Sequence, residues 1–203
     1  MNPNTSRLDE ALHFLESRFH RQIREHRVLE ASPGLFAPLP DALDPRLRAV
    51  LERDGITQLY AHQAEAFDAI RGNHDTVLVS RTASGKTLSF LLPLLHEWMN
   101  APAPFSVLLL YPTKALSRDQ ENTVGRLMRE AVDTRKLGTF DGDTPREERS
   151  HIQRTADFVI TNPDMLHAGI LPNHHRGWKS FLSRLRYIVV DEVHTYRGAF
   201  GSH

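Results

Sequence analysis

The stretch that decides the fold is Thr76–Thr87, TVLVSRTASGKT. Its first four residues are β-branched or aliphatic, which favours a strand with both faces buried. The eight that follow, beginning at Ser80, fit the phosphate-loop pattern G-x-x-x-x-G-K-[ST], with Ser80 where the leading glycine usually stands. In that arrangement a strand feeds a tight turn, and backbone N–H groups converge at a helix N-terminus. The resulting nest attracts phosphate oxygens. Thr82, Ala83 and Ser84 supply the nest and Gly85 allows close approach. Lys86 is expected to reach the β and γ phosphates, and the Thr87 hydroxyl to ligate Mg²⁺. The competing reading is a chance loop before a helix that begins with lysine. The apolar run before the loop and the helical pattern after it weigh against that.

Further apolar runs follow at 106–111 (SVLLLY), 136–140 (KLGTF), 157–161 (DFVIT) and 187–190 (YIVV), in addition to 76–80. Amphipathic stretches at 86–99, 114–131, 145–154 and 163–170 lie between most of them. Alternating strand and helix predicts an α/β fold, a parallel sheet with helices on both faces. Ligands of such sheets bind outside the carboxyl ends of the strands. The last strand ends in Asp191-Glu192, 105 residues beyond Lys86. Magnesium in a nucleotide site needs a hard carboxylate, and hydrolysis needs a second acid to orient and deprotonate water. Asp191 would serve the metal and Glu192 the water. Taken alone, the pair would also suit a surface turn.

The composition agrees. The 203 residues carry equal numbers of basic and acidic side chains and no cysteine, and 40% are hydrophobic. Zero net charge confines any nucleic-acid surface to a local patch. Without cysteine there is neither a disulfide nor a thiolate metal site. No signal peptide and no membrane span is legible, which fits the cytoplasm, beside the nucleoid in a bacterium. Leu8, Leu12, Leu15, Phe19 and Ile23 recur three or four apart, predicting a helix over 6–28. Its Arg- and His-rich face reads first as a solvated face and second as a nucleic-acid contact. The proline-rich stretch 31–45 reads as a connector. Residues 1–55 are therefore taken as an N-terminal helix and connector packing on a core domain at 56–203.

At Asp191-Glu-Val-His194 the chain resembles a DExH box, and with it the first RecA-like lobe of a superfamily 2 helicase. Tyr111-Pro-Thr-Lys-Ala-Leu-Ser-Arg-Asp-Gln120 looks like motif Ia of that superfamily. Asp141-Gly-Asp-Thr144 and Thr161-Asn-Pro-Asp-Met-Leu-His167 look like motifs Ib and Ic, and Tyr60-Ala-His-Gln63 like an adenine-reading element. The wording of these motifs is similar to the mitomycin-repair, YprA-type DNA helicases, which share a motor with fungal relatives of the fourth human RecQ helicase. The resemblance implies a three-layer RecA-like phosphate-loop NTPase with an N-terminal helical extension. It implies ATP and Mg²⁺ as cofactors, 3′-to-5′ translocation on single-stranded or forked DNA, and a role in DNA repair. Residue by residue, Gln63 would bond the adenine edge, with Arg46 or Tyr60 stacking on the base. Thr113, Lys114, Gly142, Asp143, Thr144, Thr161 and Asn162 would touch DNA phosphates. For these residues taken singly, turn or helix-cap chemistry is an equal reading, as at Asp143-Thr-Pro and Thr161-Asn-Pro, and one group can do both. His194 would couple nucleotide state to DNA grip, or serve structure alone.

The family continues beyond the DExH box into a Ser/Thr motif, a second RecA-like lobe carrying an arginine finger, and a C-terminal domain. The chain therefore reads as the N-terminal piece of a longer motor, with those parts as its partners. Arg81 stands where relatives carry a small residue, and either meets phosphate or points to solvent. His174-His175 reads as a solvated turn ahead of a metal site. The alternative function is a non-catalytic module that holds nucleic acid or a protein partner without turnover.

Overall fold

The computed structural model describes residues 3–22, 34–79, 85–132 and 136–197. Ser80, Arg81, Thr82, Ala83 and Ser84, the head of the phosphate loop, lie outside the described residues, as do 23–28 of the first predicted helix. The chain divides into two compact units, Met1–Gly34 and Leu35–His203. The first contains helix α1 (Pro3–Phe19). Its Phe14 and Phe19 meet edge to face at 6.5 Å, and both are exposed.

The second unit opens with β1 (Phe36–Pro38), α2 (Pro45–Arg53), β2 (Gln58–Tyr60) and α3 (Ala61–Arg71). β1 and β2 form an antiparallel ribbon in which Phe36 lies opposite Tyr60. α2 starts because Asp44 caps it, accepting the Arg46 N–H at 2.9 Å, and because Pro45 follows with its φ preset. The connector is thus anchored: Leu39, Leu43, Leu47, Val50 and Leu51 are all buried in the core.

Next come α4 (Lys86–Asn100), β3 (Ser106–Leu110), α5 (Lys114–Val132), β4 (Leu137–Phe140), α6 (Arg146–Thr155) and β5 (Phe158–Thr161). A short turn, α7 (Pro163–Met165), runs into the π-type turn Leu166–Ile170. α8 (Lys179–Ser183) and β6 (Leu185–Val190) complete the order. The strands form one parallel sheet in the order β4-β5-β3-β6.

The pleat sorts the side chains into two layers. Val107, Leu109 and Tyr111 face the core built with α2, α3, α4 and α5. Leu108, Leu110 and Val159 face a second core with Phe140, Ile152, Ile170, Trp178 and Phe181. Both faces of the central strands are therefore dry, as their unbroken apolar runs require. Among the described residues no helix is long and apolar enough to cross a membrane.

One predicted strand is not found. Residues 74–79 take no regular structure, and Val77 and Val79 are 84% and 91% exposed. The physical reason lies at the sheet edge. Alternate residues of β6, Ile188 and Val190, are also exposed, so one face of that edge has no cover. A segment joining it would gain little burial, and strand propensity alone does not hold a strand.

Candidate functional site

Among the described residues, Asp191, Thr113, Asp143 and Thr161 lie at or just beyond the carboxyl ends of β6, β3, β4 and β5, the carboxyl rim of the sheet. Gly85 sits at the head of α4 with φ +73, a left-handed conformation that glycine tolerates. A β-carbon there would stand 2.6 Å from Gln63 Nε2. That closeness has a use. Gln63 Nε2 donates to the Gly85 carbonyl at 3.0 Å, while its Oε1 accepts the Tyr60 N–H at 2.9 Å. The buried carboxamide thus clamps the foot of the phosphate loop to the head of α3.

Lys86 and Glu192, 106 residues apart, meet at 2.9 Å between Nζ and Oε1. The bond raises the Lys86 pKa and lowers that of Glu192. Asp191 behaves oppositely. Burial, its largest influence, pushes its carboxyl upward, and its Oδ1 accepts the Glu192 N–H at 2.9 Å. That bond helps to hold Glu192 at φ 49, a left-handed position rare for a residue with a side chain. The effect is to turn two adjacent acids to different tasks: one toward the lysine, one desolvated at the tip of β6. Asp191 N–H is fixed to the Leu110 carbonyl at 2.9 Å. Glu192 Oε2 also lies 3.4 Å from His194 Nδ1.

Magnesium fits these donors. The Thr87 hydroxyl and the Asp191 carboxylate are hard oxygens, and a desolvated acid gains from a nearby cation. Magnesium keeps several waters and needs only one or two carboxylates when a nucleotide supplies the rest. Among the described residues no cluster of three or more His, Asp or Glu forms a protein-only metal cage.

Beside the loop lies a cavity of about 550 Å³, lined by Phe36, Leu51, Tyr60, Gln63, Gly85 and Thr87 among others. Phe36 and Tyr60 stack at 5.0 Å with 25° between their rings. Of the two expected stacking residues, Tyr60 lines this cavity. Arg46 instead grips Asp44 with Nε and Nη2 at 3.0 and 2.9 Å. Its guanidinium holds the Asp44 carboxyl down at about 2.

The rim continues over β3, β4 and β5. Thr113 caps α5, its carbonyl accepting from Ser117 N–H and Oγ at 3.0 and 3.1 Å. Lys114 Nζ and Arg118 Nη2 both hold the exposed Asp143 carboxylate, at 2.9 and 3.1 Å. Arg149 binds the carbonyls of Thr144 and Gly142 at 2.9 and 3.1 Å. Thr144, Thr161 and Asn162 are buried. The Thr144 hydroxyl donates to the Thr139 carbonyl at 3.0 Å, and Thr161 to the Phe140 carbonyl at 2.7 Å. Asn162 Oδ1 accepts the Met165 N–H at 2.9 Å. Those three side chains hold their turns in shape, while Thr113, Lys114, Gly142 and Asp143 face outward. Sequence reading missed Phe36, Arg118 and Arg149. Only the two arginines left a signal, as cations close to the rim segments.

Residues 60–203 match the DEAD/DEAH box helicase family. The chain is 45% identical over 175 residues to the ATP-dependent helicase YprA of Bacillus subtilis, a match covering 86% of this chain and 23% of that protein. It is 38% identical over 184 residues to the ATP-dependent helicase HRQ1 of Saccharomyces cerevisiae, covering 90% of this chain and 17% of that one. The crystal structure of the DUF1998 helicase MrfA bound to DNA and AMPPNP superposes with a TM-score of 0.80 at 43% identity, covering 86% of this chain and 24% of that one. The chain spans no more than about a quarter of the length of these relatives.

Proposed function

This chain belongs to the DEAD/DEAH box helicase family, and we propose that it is the nucleotide-binding first RecA-like lobe of an ATP-dependent DNA motor. The observation that carries the reading is the 2.9 Å contact between Lys86 and Glu192 across 106 residues of chain. A lysine at a helix head and a carboxylate at a neighbouring strand tip mark out where a γ-phosphate and an attacking water would stand. In this reading Lys86 takes the phosphate charge as the nucleotide enters. Glu192, released from the lysine, orients the water and accepts its proton. Asp191 and Thr87 would hold the cation, whose charge would lower the cost of crowding phosphate oxygens. Phe36 and Tyr60 present rings to the base, and Gln63 ties the base side of the pocket to the loop.

DNA is proposed to lie over the rim formed by Thr113, Lys114, Gly142 and Asp143. The turns there are fixed by Thr144, Thr161 and Asn162, and His194, 3.4 Å from Glu192, is proposed to couple the nucleotide side to the DNA grip. Backbone grip of this kind carries no base reading. In the longer protein the lobe would close against a second RecA-like lobe and a C-terminal domain. Movement 3′ to 5′ and work in DNA repair are part of the proposal, supported by the resemblance to YprA-type helicases; the DNA-bound relative supports DNA as the ligand.

The test is a pair of titrations on the chain, one with an ATP analogue with and without Mg²⁺, one with a single-stranded oligonucleotide at several salt concentrations. Asp143 occupies Lys114 and Arg118 as a phosphate would, and those cations in turn hold its pKa down. Asp143→Asn is therefore expected to tighten oligonucleotide binding several-fold at low salt, with a steeper salt dependence. Unchanged or weaker binding would remove the rim from the DNA path.

A further inference from the structure

One hydrogen bond with a role not assigned above joins the two halves of the site. The Thr87 hydroxyl, at the second position of α4, donates to Gln120 Oε1 at 2.9 Å. Both residues are partly buried. A hydroxyl has one hydrogen to give and two lone pairs to offer. With its hydrogen directed at Gln120, the oxygen of Thr87 keeps its lone pairs for a cation. The acceptor is a side-chain oxygen on a neighbouring helix, which fixes the direction of that hydrogen.

Gln120 stands on α5, six residues past Lys114, or about 9 Å along the axis at 1.5 Å per residue. The same face carries Thr123 and Leu127, which line the nucleotide cavity. One turn ahead of Gln120 is Ser117, fully buried and bonded to the Thr113 carbonyl at the helix head. The helix that begins at the DNA rim thus ends its second turn on the metal-binding hydroxyl. A rigid helix with a group at each site is the physical link that coupling between sites requires.

We propose that Gln120 is a positioning residue: it sets the orientation of the Thr87 hydroxyl for Mg²⁺ and, through α5, ties nucleotide-bound cation to the DNA grip of Thr113 and Lys114. The inference rests on the reading of Lys86, Thr87 and Asp191 as a Mg²⁺–nucleotide site. Because coupling is reciprocal, cation and DNA should strengthen each other's binding through this one contact.

The experiment measures binding of a non-hydrolysable ATP analogue to the chain with Mg²⁺ and with chelator, each with and without a single-stranded oligonucleotide. The variants are Gln120→Met and Gln120→Glu. Gln120→Met is expected to lose about tenfold in affinity with Mg²⁺, the size of a hydrogen bond near 1.4 kcal/mol, while its affinity with chelator stays at the wild-type value. The gain that oligonucleotide brings to analogue binding should vanish. Gln120→Glu keeps an acceptor oxygen and is expected to retain both the Mg²⁺ dependence and the gain. Equal losses with and without Mg²⁺ would reduce Gln120 to a structural residue, and no loss in Gln120→Met would overturn the proposal. A wild-type chain that shows no Mg²⁺-dependent binding would instead overturn the reading of the site, and the inference with it.

Discussion

Lys86→Ala is expected to weaken Mg²⁺–ATP binding by roughly 10- to 150-fold, the equivalent of the 1.5–3 kcal/mol carried by a hydrogen bond to a charged partner. In a longer protein bearing this lobe it should abolish ATP hydrolysis. The loss is electrostatic. The Lys86 ammonium is the cation that meets Glu192 at the head of α4, and the loop's backbone N–H groups alone supply only partial charges. Glu192→Gln separates the roles. Removing its charge frees Lys86 for phosphate, so binding holds or tightens, while hydrolysis falls by on the order of 10²–10⁴ with the general base gone. Calorimetric titration and phosphate release measure the two effects. Parallel losses of binding in both variants would show that Glu192 supports the loop and does not act on water.

The second large effect is on stability. Trp178 is fully buried and makes edge-to-face contacts with Phe140 at 4.7 Å and Phe181 at 5.6 Å. Trp178→Ala should cost about 3–5 kcal/mol, the range for deleting a large buried aromatic. That is a large share of the 5–15 kcal/mol typical of a domain. The damage should also reach function. Phe140 closes β4, and its carbonyl accepts the Thr161 hydroxyl that holds the neighbouring rim turn. A cavity beneath it would loosen both turns and weaken oligonucleotide binding. Chemical denaturation gives the first number. A loss below 1 kcal/mol would mean that this core repacks, and that the rim does not depend on it. Trp178→Phe, which keeps a ring, should recover part of the loss.

What the sequence disclosed, and what it hid, follows from the range of the forces involved. The strands at 106–111 and 157–161 were legible because burial on both faces demands unbroken apolar runs, and those at 136–140 and 187–190, at the sheet edges, from their β-branched and aromatic residues; both signals are local. The run at 76–80 carries the same signal, yet sheet membership depends on neighbours that cover both faces, and the β6 edge leaves Ile188 and Val190 exposed. The predicted helix over 163–170 is only one α turn before a π-type turn. Its apolar residues, Met165, Leu166 and Ile170, span little more than one turn, too short a stripe to fix a regular helix. Lys86, Asp191 and Glu192 stood out because the loop pattern and an acidic pair closing an apolar run are both local in the chain. The Phe36–Tyr60 stack did not, since it depends on the register of two three-residue strands 24 positions apart. Gln120 lay inside a segment already noted for DNA contact, but nothing in a linear pattern tells which hydroxyl a carboxamide will accept from. Arg46 illustrates the reverse case. Its bond to Asp44 is local, and the Asp44-Pro45 pair is a legible helix start.

In the proposed site the Lys86–Glu192 contact marks the γ-phosphate position. The most direct measurement is a crystal structure of the chain grown with AMPPNP and Mg²⁺. The account predicts a γ-phosphate between Nζ of Lys86 and the Glu192 carboxylate, which separate from their 2.9 Å contact, with the cation on the Thr87 and Asp191 oxygens. A nucleotide bound elsewhere while Lys86 and Glu192 stay paired would contradict it.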